Sequence, residues 1–308
     1  MNEFIVFSDP HYHVNQNKSY TNSKGISSWL QTQIDLTHDI FNYAKENNVE
    51  TIICNGDIFE EKNRINSGIY NIVWDLFRYY SKQYNIIFNT GNHDIYKKNH
   101  DSSLLPFSDI VTVITTPTII DNIKIIPYGM TEGELKSDAD ILFLHEEIEG
   151  IVNFDSNKLI ELQDLSKYII VFNGHIHTPC SVHNVINIGS MCPQNWGEAK
   201  DQKRFIHFKN NTPKSIPLNH PKWNILNDIP NEISDSEFYR IDISTDELIN
   251  PIFKLYNVFP NVVKMRDKKT RLKQIGNTKD EVLQYINLMD IEHLDYDKLF
   301  NIGMELLR

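Results

Sequence analysis

Cysteine is scarce in this chain of 308 residues, which contains only Cys54, Cys180 and Cys192. The number is odd and the spacing matches no metal-binding motif, so the sequence argues against a disulfide framework and against a thiolate metal site. We therefore expect reduced thiols in a reducing compartment.

Long apolar runs are also absent. No stretch approaches the roughly 20 apolar residues that a membrane-spanning helix needs. The strand-like run Glu3–Phe7 follows Met1 almost at once, without the basic and apolar regions of a signal peptide. We expect a soluble, cytoplasmic protein that does not contact a membrane.

Positive charge is in short supply. The chain has 30 Lys and Arg against 41 Asp and Glu, a formal net charge of −11. Affinity for nucleic acid comes largely from Lys and Arg that neutralise phosphates, so the whole surface is unsuited to non-specific binding of polyanions. Any nucleic acid must bind locally or with help.

What the chain does contain is typical of a folded α/β protein. Its hydrophobic share is 40%, and its length favours one large core with a smaller appended unit. Short apolar runs predict strands at Phe4–Ser8, Thr51–Cys54, Ile86–Asn89, Val111–Ile114, Ile119–Asp121, Ile123–Pro127, Ile141–Leu144, Ile169–Asn173 and Val185–Ile188. Amphipathic spacing predicts helices at Ser27–Asn47 and Ser67–Tyr84.

The pattern changes after about Phe208, where prolines interrupt the chain repeatedly. Short strands are predicted at Phe238–Ile243, Ile252–Tyr256 and Asn261–Lys264. Two amphipathic helices follow at Asp280–Met289 and Asp295–Leu307. We expect domains at 1–208 and 209–273, followed by a helical hairpin at 274–308.

Polar residues that can bind metals come directly after five predicted strands, where α/β proteins place their sites. They are Asp9-Pro-His11, Gly56-Asp57, Gly91-Asn92-His93-Asp94, His145 and Gly174-His175-Ile-His177. A single Asp or His after a strand is most often a turn residue. Their joint occurrence at successive strand ends favours one functional cluster.

Carboxylate, amide oxygen and imidazole ligands suit Mn²⁺, Fe²⁺ or Zn²⁺. The seven candidate ligands are Asp9, His11, Asp57, Asn92, His145, His175 and His177. They are too many for one ion and suit two ions that share a carboxylate, an arrangement that serves phosphoester hydrolysis. The remaining histidines are interpreted as surface or core residues.

These motifs together resemble the signature of the calcineurin-like metallophosphoesterases over roughly residues 1 to 208. The resemblance implies a four-layer αββα sandwich with two metal ions at the strand ends. One ion would bind Asp9, His11, Asp57 and His177, and the other would bind Asp57, Asn92, His145 and His175. Asp57 would bridge them, and Mn²⁺ is the first expectation, with Mg²⁺, Fe²⁺ or Zn²⁺ as alternatives.

The same resemblance assigns a catalytic role to His93, which would contact the scissile phosphate and protonate the leaving oxygen. Asp94 would hold the His93 imidazole, as a carboxylate commonly orients a catalytic histidine.

Within that superfamily the chain is most similar to the SbcD-type DNA repair nucleases, above all the recombination endonuclease subunits of large bacteriophages. The phrase Gly56-Asp-Ile-Phe59, the separate unit after the first domain and the terminal hairpin carry this resemblance. The chain departs from it at Glu60, where many members carry Asp or His, and this departure bears on exonuclease activity. Glu146 and Glu147 add negative charge beside His145.

The resemblance implies DNA and an SMC-like ATPase of the SbcC type as partners, the ATPase docking on residues 280–308. A basic strip, Lys264–Lys273, offers six cationic residues for DNA or forms a solvated linker. A homodimer is also implied, and the aromatic residues Trp74, Phe77 and Tyr79 permit a helical contact. The hairpin could equally pack within the chain.

Two enzymatic functions fit these features. The first is a metal-dependent DNA exonuclease and endonuclease subunit in recombination and double-strand-break repair, in the host cytoplasm if a phage encodes it. The alternative is a phosphatase or phosphodiesterase acting on a small molecule or phosphoprotein, which needs neither a basic strip nor a docking hairpin. A non-catalytic scaffold is disfavoured by the complete ligand set.

Overall fold

The computed structural model describes residues 1–15, 19–96, 101–136, 138–152, 159–244, 248 and 250–262. The predicted hairpin at 274–308 and the whole basic strip, Lys264–Lys273, lie outside these residues. Among the described residues, no helix combines the length and the apolar character that crossing a bilayer requires.

Strands dominate the described residues. The strands are β1 (Glu3–Phe7), β2 (Thr51–Asn55), β3 (Asn85–Asn89), β4 (Thr112–Ile114), β5 (Thr118–Ile120), β6 (Ile123–Ile125), β7 (Ile141–Leu144), β8 (Ile170–Asn173), β9 (Cys180–Val182), β10 (Val185–Asn187), β11 (Arg204–Lys209), β12 (Thr212–Pro217), β13 (Trp223–Leu226), β14 (Phe238–Ile243) and β15 (Val258–Val262). The α-helices are α1 (Ser28–Glu46), α2 (Ser67–Tyr80) and α3 (Leu162–Leu165).

The strands form two six-stranded sheets and one small sheet. The first sheet has the order β12-β11-β1-β2-β3-β4, and the second has the order β5-β6-β7-β8-β10-β9. Strands β1 to β4 run parallel, as do β6, β7, β8 and β10. The carboxyl ends of neighbouring parallel strands therefore open onto one rim of each sheet.

Both faces of the first sheet are buried, and the alternation of β1 shows how. Phe4 and Val6 point into a core shared with Phe143 and Phe172 of the second sheet. Ile5 and Phe7 point the other way, into a core formed with α1 and α2. Because successive side chains of a strand point to opposite faces, one apolar run serves two layers of packing.

The fold is the expected αββα sandwich, with unequal outer layers. Helices α1 and α2 cover the first sheet, and the Asn66 side chain caps α2 by accepting from the Gly68 and Ile69 N–H groups at 2.8 and 3.4 Å. On the outer face of the second sheet the described residues provide only the short α3 and loops. That face is closed by side chains such as Leu165 and Tyr168.

The predicted strands and helices of the sandwich are confirmed to within a few residues, whereas one predicted strand of the later chain was wrong and several strands were missed. The strand predicted at Ile252–Tyr256 is instead a 3₁₀ helix, Pro251–Lys254, because Asn250 caps it and Pro251 occupies its first turn. No strand was predicted at β9, β11, β12 or β13, and at β12 Pro213 and Pro217 suggested a broken chain. An edge strand tolerates proline, and β12 extends the first sheet to Pro217.

The small sheet, β13-β14-β15, packs against the N-terminal end of α1. Trp223 is 5% exposed, and its ring centroid lies 6.1 Å from that of Trp29 and 5.5 Å from that of Phe238. These residues belong to the same core as α1 and α2. The residues after Pro217 are therefore joined to the sandwich by aromatic packing.

Trp223→Ala should lower the free energy of unfolding by about 3–5 kcal/mol, because it removes a large buried side chain from this contact. The matched control is Ile225→Ala on the same strand, where the side chain is 38% exposed and the expected cost is within about 0.5 kcal/mol. Urea denaturation of the full chain measures both. Equal effects for the two variants would contradict the packing argument.

Candidate metal centre

The predicted cluster is assembled where strand ends of the two large sheets meet. Asp9 and His11 follow β1, and Asp57 follows β2 after one glycine. The second sheet contributes His145 after β7 and the loop after β8. The structure brings all seven predicted ligands together, from both sheets, at one rim.

The backbone is strained where it carries these side chains. Asp9, His11, Asp57 and His175 all have positive φ angles, of 52°, 47°, 54° and 74°. Non-glycine residues rarely adopt this region, and such residues cluster at functional sites. Hydrogen bonds hold the two loops in register, since the His11 N–H donates to the Asp57 carbonyl at 3.0 Å and the Asp9 N–H to the Gly56 carbonyl at 3.2 Å.

One group of candidate ligands is formed by Asp9, His11 and His177, whose ligand atoms lie within 4.8 Å of one another. His11 Nε2 lies 3.1 Å from His177 Nε2 and 3.8 Å from Asp9 Oδ1. His177 Nε2 is 4.0 Å from the same carboxylate oxygen. Three potential metal-ligand atoms therefore lie close together.

A second group is formed by Asp57, His145 and His175. His145 Nε2 lies 3.2 Å from Asp57 Oδ2 and 3.2 Å from Asn92 Oδ1. The same amide oxygen of Asn92 is 2.8 Å from His175 Nδ1. Asn92 thus joins this group with its oxygen atom facing both imidazoles.

Asp57 lies between the two groups. Its Oδ2 is 3.5 Å from His11 Nε2 on one side and 3.2 Å from His145 Nε2 on the other. The carboxylate is buried, and its Oδ1 accepts the His93 backbone N–H at 2.7 Å. This is the position that a bridging carboxylate requires.

The orientation of the imidazoles fits metal binding. His145 Nδ1 lies 2.7 Å from the Asn55 carbonyl oxygen, His11 Nδ1 lies 2.8 Å from Glu60 Oε2, and His177 Nδ1 lies 3.2 Å from Glu198 Oε1. Metal-binding histidines ordinarily place one ring nitrogen against such an outer acceptor. In each of these three rings, Nε2 is left facing the cluster.

The electrostatics of the site favour positive charge near the carboxylates of Asp9 and Asp57. Burial raises the pKa of Asp57, but the imidazoles of His145 and His11 outweigh burial and hold that pKa well below its usual range. Burial lowers the pKa of His145, and Asp57 and Asp9 raise it by more, to about 9. His175, lowered by burial and by the charge of His145, has a pKa of about 4. The residues present therefore fit divalent cations, which would supply the charge that protons supply otherwise.

His93 and Asp94 lie at the same rim, but not in the contact that was expected. His93 Nδ1 is 2.6 Å from the Glu60 carbonyl oxygen. The Asp94 carboxylate is fully buried and accepts the backbone N–H groups of Asp57, Ile58 and Gly91 at 2.8, 3.0 and 2.9 Å. Asp94 therefore accepts hydrogen bonds from backbone N–H groups and does not hold the His93 imidazole. The Glu60 carbonyl contacts that imidazole instead.

The three acidic residues near the site, Glu146, Glu147 and Glu60, have different contacts in the structure. Glu146 is 8% exposed and accepts the Gly129 N–H at 2.6 Å, so it is part of the scaffold. Glu147 Oε1 lies 3.9 Å from His175 Nε2. Glu60 is 40% exposed and contacts the site through both its carboxylate and its carbonyl.

Several residues around the site escaped sequence reasoning. Gln33 on α1 is fully buried and donates to the carbonyls of Pro10 and His11 at 2.9 and 2.7 Å. Glu198 stands 21 residues beyond His177, and no motif near it suggested a role. Asn55 was detectable in principle, because an Asn-Gly pair ends its strand just before Asp57.

Comparisons with known proteins show what this chain is similar to. The family model for calcineurin-like phosphoesterases matches residues 3–179. Exonuclease subunit 1 of Enterobacteria phage T4 is 28% identical over 223 residues, which cover 65% of this chain and 65% of that protein's length. The crystal structure of the Pseudomonas putida nuclease MPE aligns with 69% of this chain and 87% of its own, at a TM-score of 0.34 and 11% identity.

Gly174→Ala should disrupt the site through contact alone. An added Cβ would lie 2.3 Å from Ser8 Oγ, 2.6 Å from His145 Nδ1 and 2.7 Å from the Asn55 carbonyl oxygen, and the Gly174 φ angle lies outside the left-handed range. We expect the free energy of unfolding to fall by about 1–3 kcal/mol, as for overpacked cores. Urea denaturation measures the change.

Gly68→Ala is the matched control. Its new Cβ would meet only the Asn66 side chain, whose Oδ1 caps α2 and would lie 3.1 Å away, so a shift of a few tenths of an ångström would relieve the contact. Alanine is preferred to glycine in helices, so little or no loss of stability is expected there. If Gly174→Ala were as stable as Gly68→Ala, the close approach of the strand-end loops would not limit this site.

Proposed function

The chain belongs to the calcineurin-like phosphoesterase family, and we propose that it is a metal-dependent nuclease that hydrolyses DNA phosphodiesters. The family makes it a hydrolase that uses divalent metal ions. The observation that carries the proposal is the position of Asp57, whose Oδ2 lies 3.5 Å from His11 Nε2 in one ligand group and 3.2 Å from His145 Nε2 in the other.

In this proposal each ion has four ligands from the chain. One would be held by Asp9, His11, Asp57 and His177, and the other by Asp57, Asn92, His145 and His175. The contacts of Asp57 with both groups, at 3.5 and 3.2 Å, support the bridging assignment. Two such ions polarise a phosphoryl oxygen and provide a nucleophile at neutral pH. Mn²⁺ is the first choice, with Mg²⁺, Fe²⁺ or Zn²⁺ as alternatives.

His93 is proposed to protonate the leaving oxygen. The Glu60 carbonyl can only accept, so the proton at the 2.6 Å contact belongs to His93 Nδ1. Nε2 is then the nitrogen that gains and loses a proton, as a general acid requires. Glu60 orients the ring through its backbone, and Asp94 holds the loops that carry Asp57 and His93 in position.

DNA is proposed as the substrate because of one relative. Exonuclease subunit 1 of phage T4 acts, by its name, as a nuclease within a complex, and it is similar to 65% of this chain. The strip Lys264–Lys273 would supply local positive charge to an otherwise acidic chain. The proposal includes both exonuclease and endonuclease activity in recombination and repair, in the cytoplasm of the host if a phage encodes the protein.

An SMC-like ATPase is the proposed partner, docking on residues 280–308. The chain would then divide into a nuclease domain at 1–208, a DNA-capping unit at 209–273 and a docking hairpin at 274–308. A homodimer through α2 is also proposed. Its surface would use Tyr79, 57% exposed, and Trp74, but not Phe77, which is buried.

The central test is cleavage of end-labelled linear duplex and circular single-stranded DNA by the purified chain, with Mn²⁺, with Mg²⁺ and with EDTA. We expect Mn²⁺-dependent cleavage that EDTA abolishes and that Asp57→Ala eliminates. His93→Asn should reduce turnover by about 10²–10⁴-fold while metal binding is retained, because only proton transfer is lost.

His220→Asn is the matched control, since His220 Nδ1 makes a similar contact, 2.8 Å from the Pro221 carbonyl oxygen, without belonging to the predicted ligand set. It should cleave like the wild type. If the wild-type chain does not cleave DNA but hydrolyses a generic phosphodiester, the substrate is a small molecule or phosphoprotein. If neither is hydrolysed with any metal, the proposed catalytic centre is wrong.

Deletion of residues 280–308 tests the partner. Co-purification with a co-expressed SMC-like ATPase should be lost, while metal-dependent hydrolysis by the truncated chain stays at the wild-type level, because the ligands all lie before residue 178. Retained co-purification would contradict the docking assignment. Loss of hydrolysis together with unfolding would show that the segment packs within the chain.

A further inference from the structure

A buried ion pair lies behind His177. The Lys203 side chain is fully buried, and its Nζ donates to Glu198 Oε2 at 2.7 Å, to the His177 carbonyl at 2.8 Å and to Asp201 Oδ2 at 3.2 Å. The Glu198 side chain is only 6% exposed. All three protons of the ammonium group are therefore accounted for by acceptors.

The groups that contact the Glu198 carboxylate are hydrogen-bond donors or can act as donors. Oε2 accepts from Lys203 Nζ at 2.7 Å and from the Gln194 N–H at 3.2 Å. Oε1 accepts from the Asn195 side-chain amide and lies 3.2 Å from His177 Nδ1. With Lys203 at one oxygen, the carboxylate remains an ionised acceptor at the other.

This arrangement determines the state of His177. An ionised carboxylate can only accept a hydrogen bond, so Nδ1 of His177 must carry a proton. In the neutral ring Nε2 is then unprotonated, and it is Nε2 that faces Asp9 and His11, at 4.0 and 3.1 Å. A metal ligand needs this tautomer.

We propose that Glu198, held in place by Lys203, is a positioning residue that fixes the tautomer and ring orientation of His177 for metal binding. The inference rests on the proposed function, because it concerns the same metal centre. It adds two residues, one of them a fully buried lysine, that no motif in the sequence indicates.

A purely structural role explains the pair less well. Burying an ion pair costs desolvation energy that packed apolar side chains avoid, so such a pair is weak evidence for stability alone. Here the pair also joins the Trp196–Glu198 turn to the loop of His177 through both a side chain and a backbone carbonyl. Both members of the ion pair therefore contact His177, Glu198 through its imidazole and Lys203 through its backbone carbonyl.

The test begins with Glu198→Gln, which keeps the size but has one acceptor atom where the carboxylate has two. Its amide group must face either His177 or the donors around Lys203, so one set of contacts is lost. We expect Mn²⁺ affinity at one of two sites to fall by about 10–100-fold, as for other outer partners of metal ligands. Isothermal titration calorimetry of the full chain measures it.

The second readout is the ¹⁵N shifts of the histidine rings in metal-free protein, which distinguish the two tautomers. His177 should be a single Nδ1–H tautomer in the wild type and a mixture in Glu198→Gln. The matched control is Glu3→Gln. The Glu3 carboxylate contacts His207 Nε2 at 3.0 Å and Lys209 Nζ at 2.9 Å, at the end of β1 away from the site. This variant should leave both readouts unchanged.

The double variant Glu198→Gln/Lys203→Met guards against misfolding, because it leaves no member of the pair as an unpaired buried charge. It should be more stable than Lys203→Met and still bind Mn²⁺ weakly at one site. Wild-type affinity and a single His177 tautomer in Glu198→Gln or the double variant would overturn the inference. If the wild type itself binds no Mn²⁺, the proposed function fails instead.

Discussion

Two buried carboxylates impose the constraint on which this structure depends. Asp9 and Asp57 are at most 1% exposed, and each must be stabilised as an anion without bulk water. Backbone N–H groups provide part of this: His93 donates to Asp57 at 2.7 Å and His175 to Asp9 at 3.2 Å. The Ser8 hydroxyl also donates to Asp9, and the surrounding imidazoles lower the pKa values of both carboxylates.

The same constraint explains how the two sheets are joined at this rim. Asn55, at the end of β2, donates to the Leu144 carbonyl of the second sheet at 2.7 Å, and its own carbonyl accepts from His145 Nδ1. Asn89 donates to Asn55 at 3.0 Å. Buried amides thus bridge the sheets directly beneath the ligands, so that relative movement of the sheets would also move His145 against Asp57. The scaffold and the site share their hydrogen bonds.

The residues of the candidate cluster could be found in the sequence because they follow strands that apolar runs reveal. Parallel strands place their carboxyl ends on one rim, so order along the chain implied proximity. The outer partners could not be predicted in this way, because Glu198 and Gln33 reach the site from elements far along the chain. The partner of His93 was misassigned for a related reason. Adjacency in sequence suggested Asp94, but the turn directs that carboxylate to backbone donors.

The later chain was harder to interpret for a different physical reason. Proline punctuation suggested that the sheet had ended, whereas β12 is an edge strand in which a missing N–H can be tolerated. The segment Ile252–Tyr256 has the apolar residues of a strand, but Asn250 and Pro251 start a 3₁₀ helix there instead. Local propensity decides such short segments only where tertiary pairing does not compete.

Charge around the centre links metal loading to substrate binding under the proposed function. Beyond Asp9 and Asp57, the partly exposed Glu60 and Glu147 face the same rim, 2.8 and 3.9 Å from candidate ligands. A phosphate approaching these four carboxylates is repelled unless cations lie between. Two divalent ions carry four positive charges, enough to balance them. Attraction for a polyanion is then confined to the loaded site, which reconciles an acidic chain with a DNA substrate.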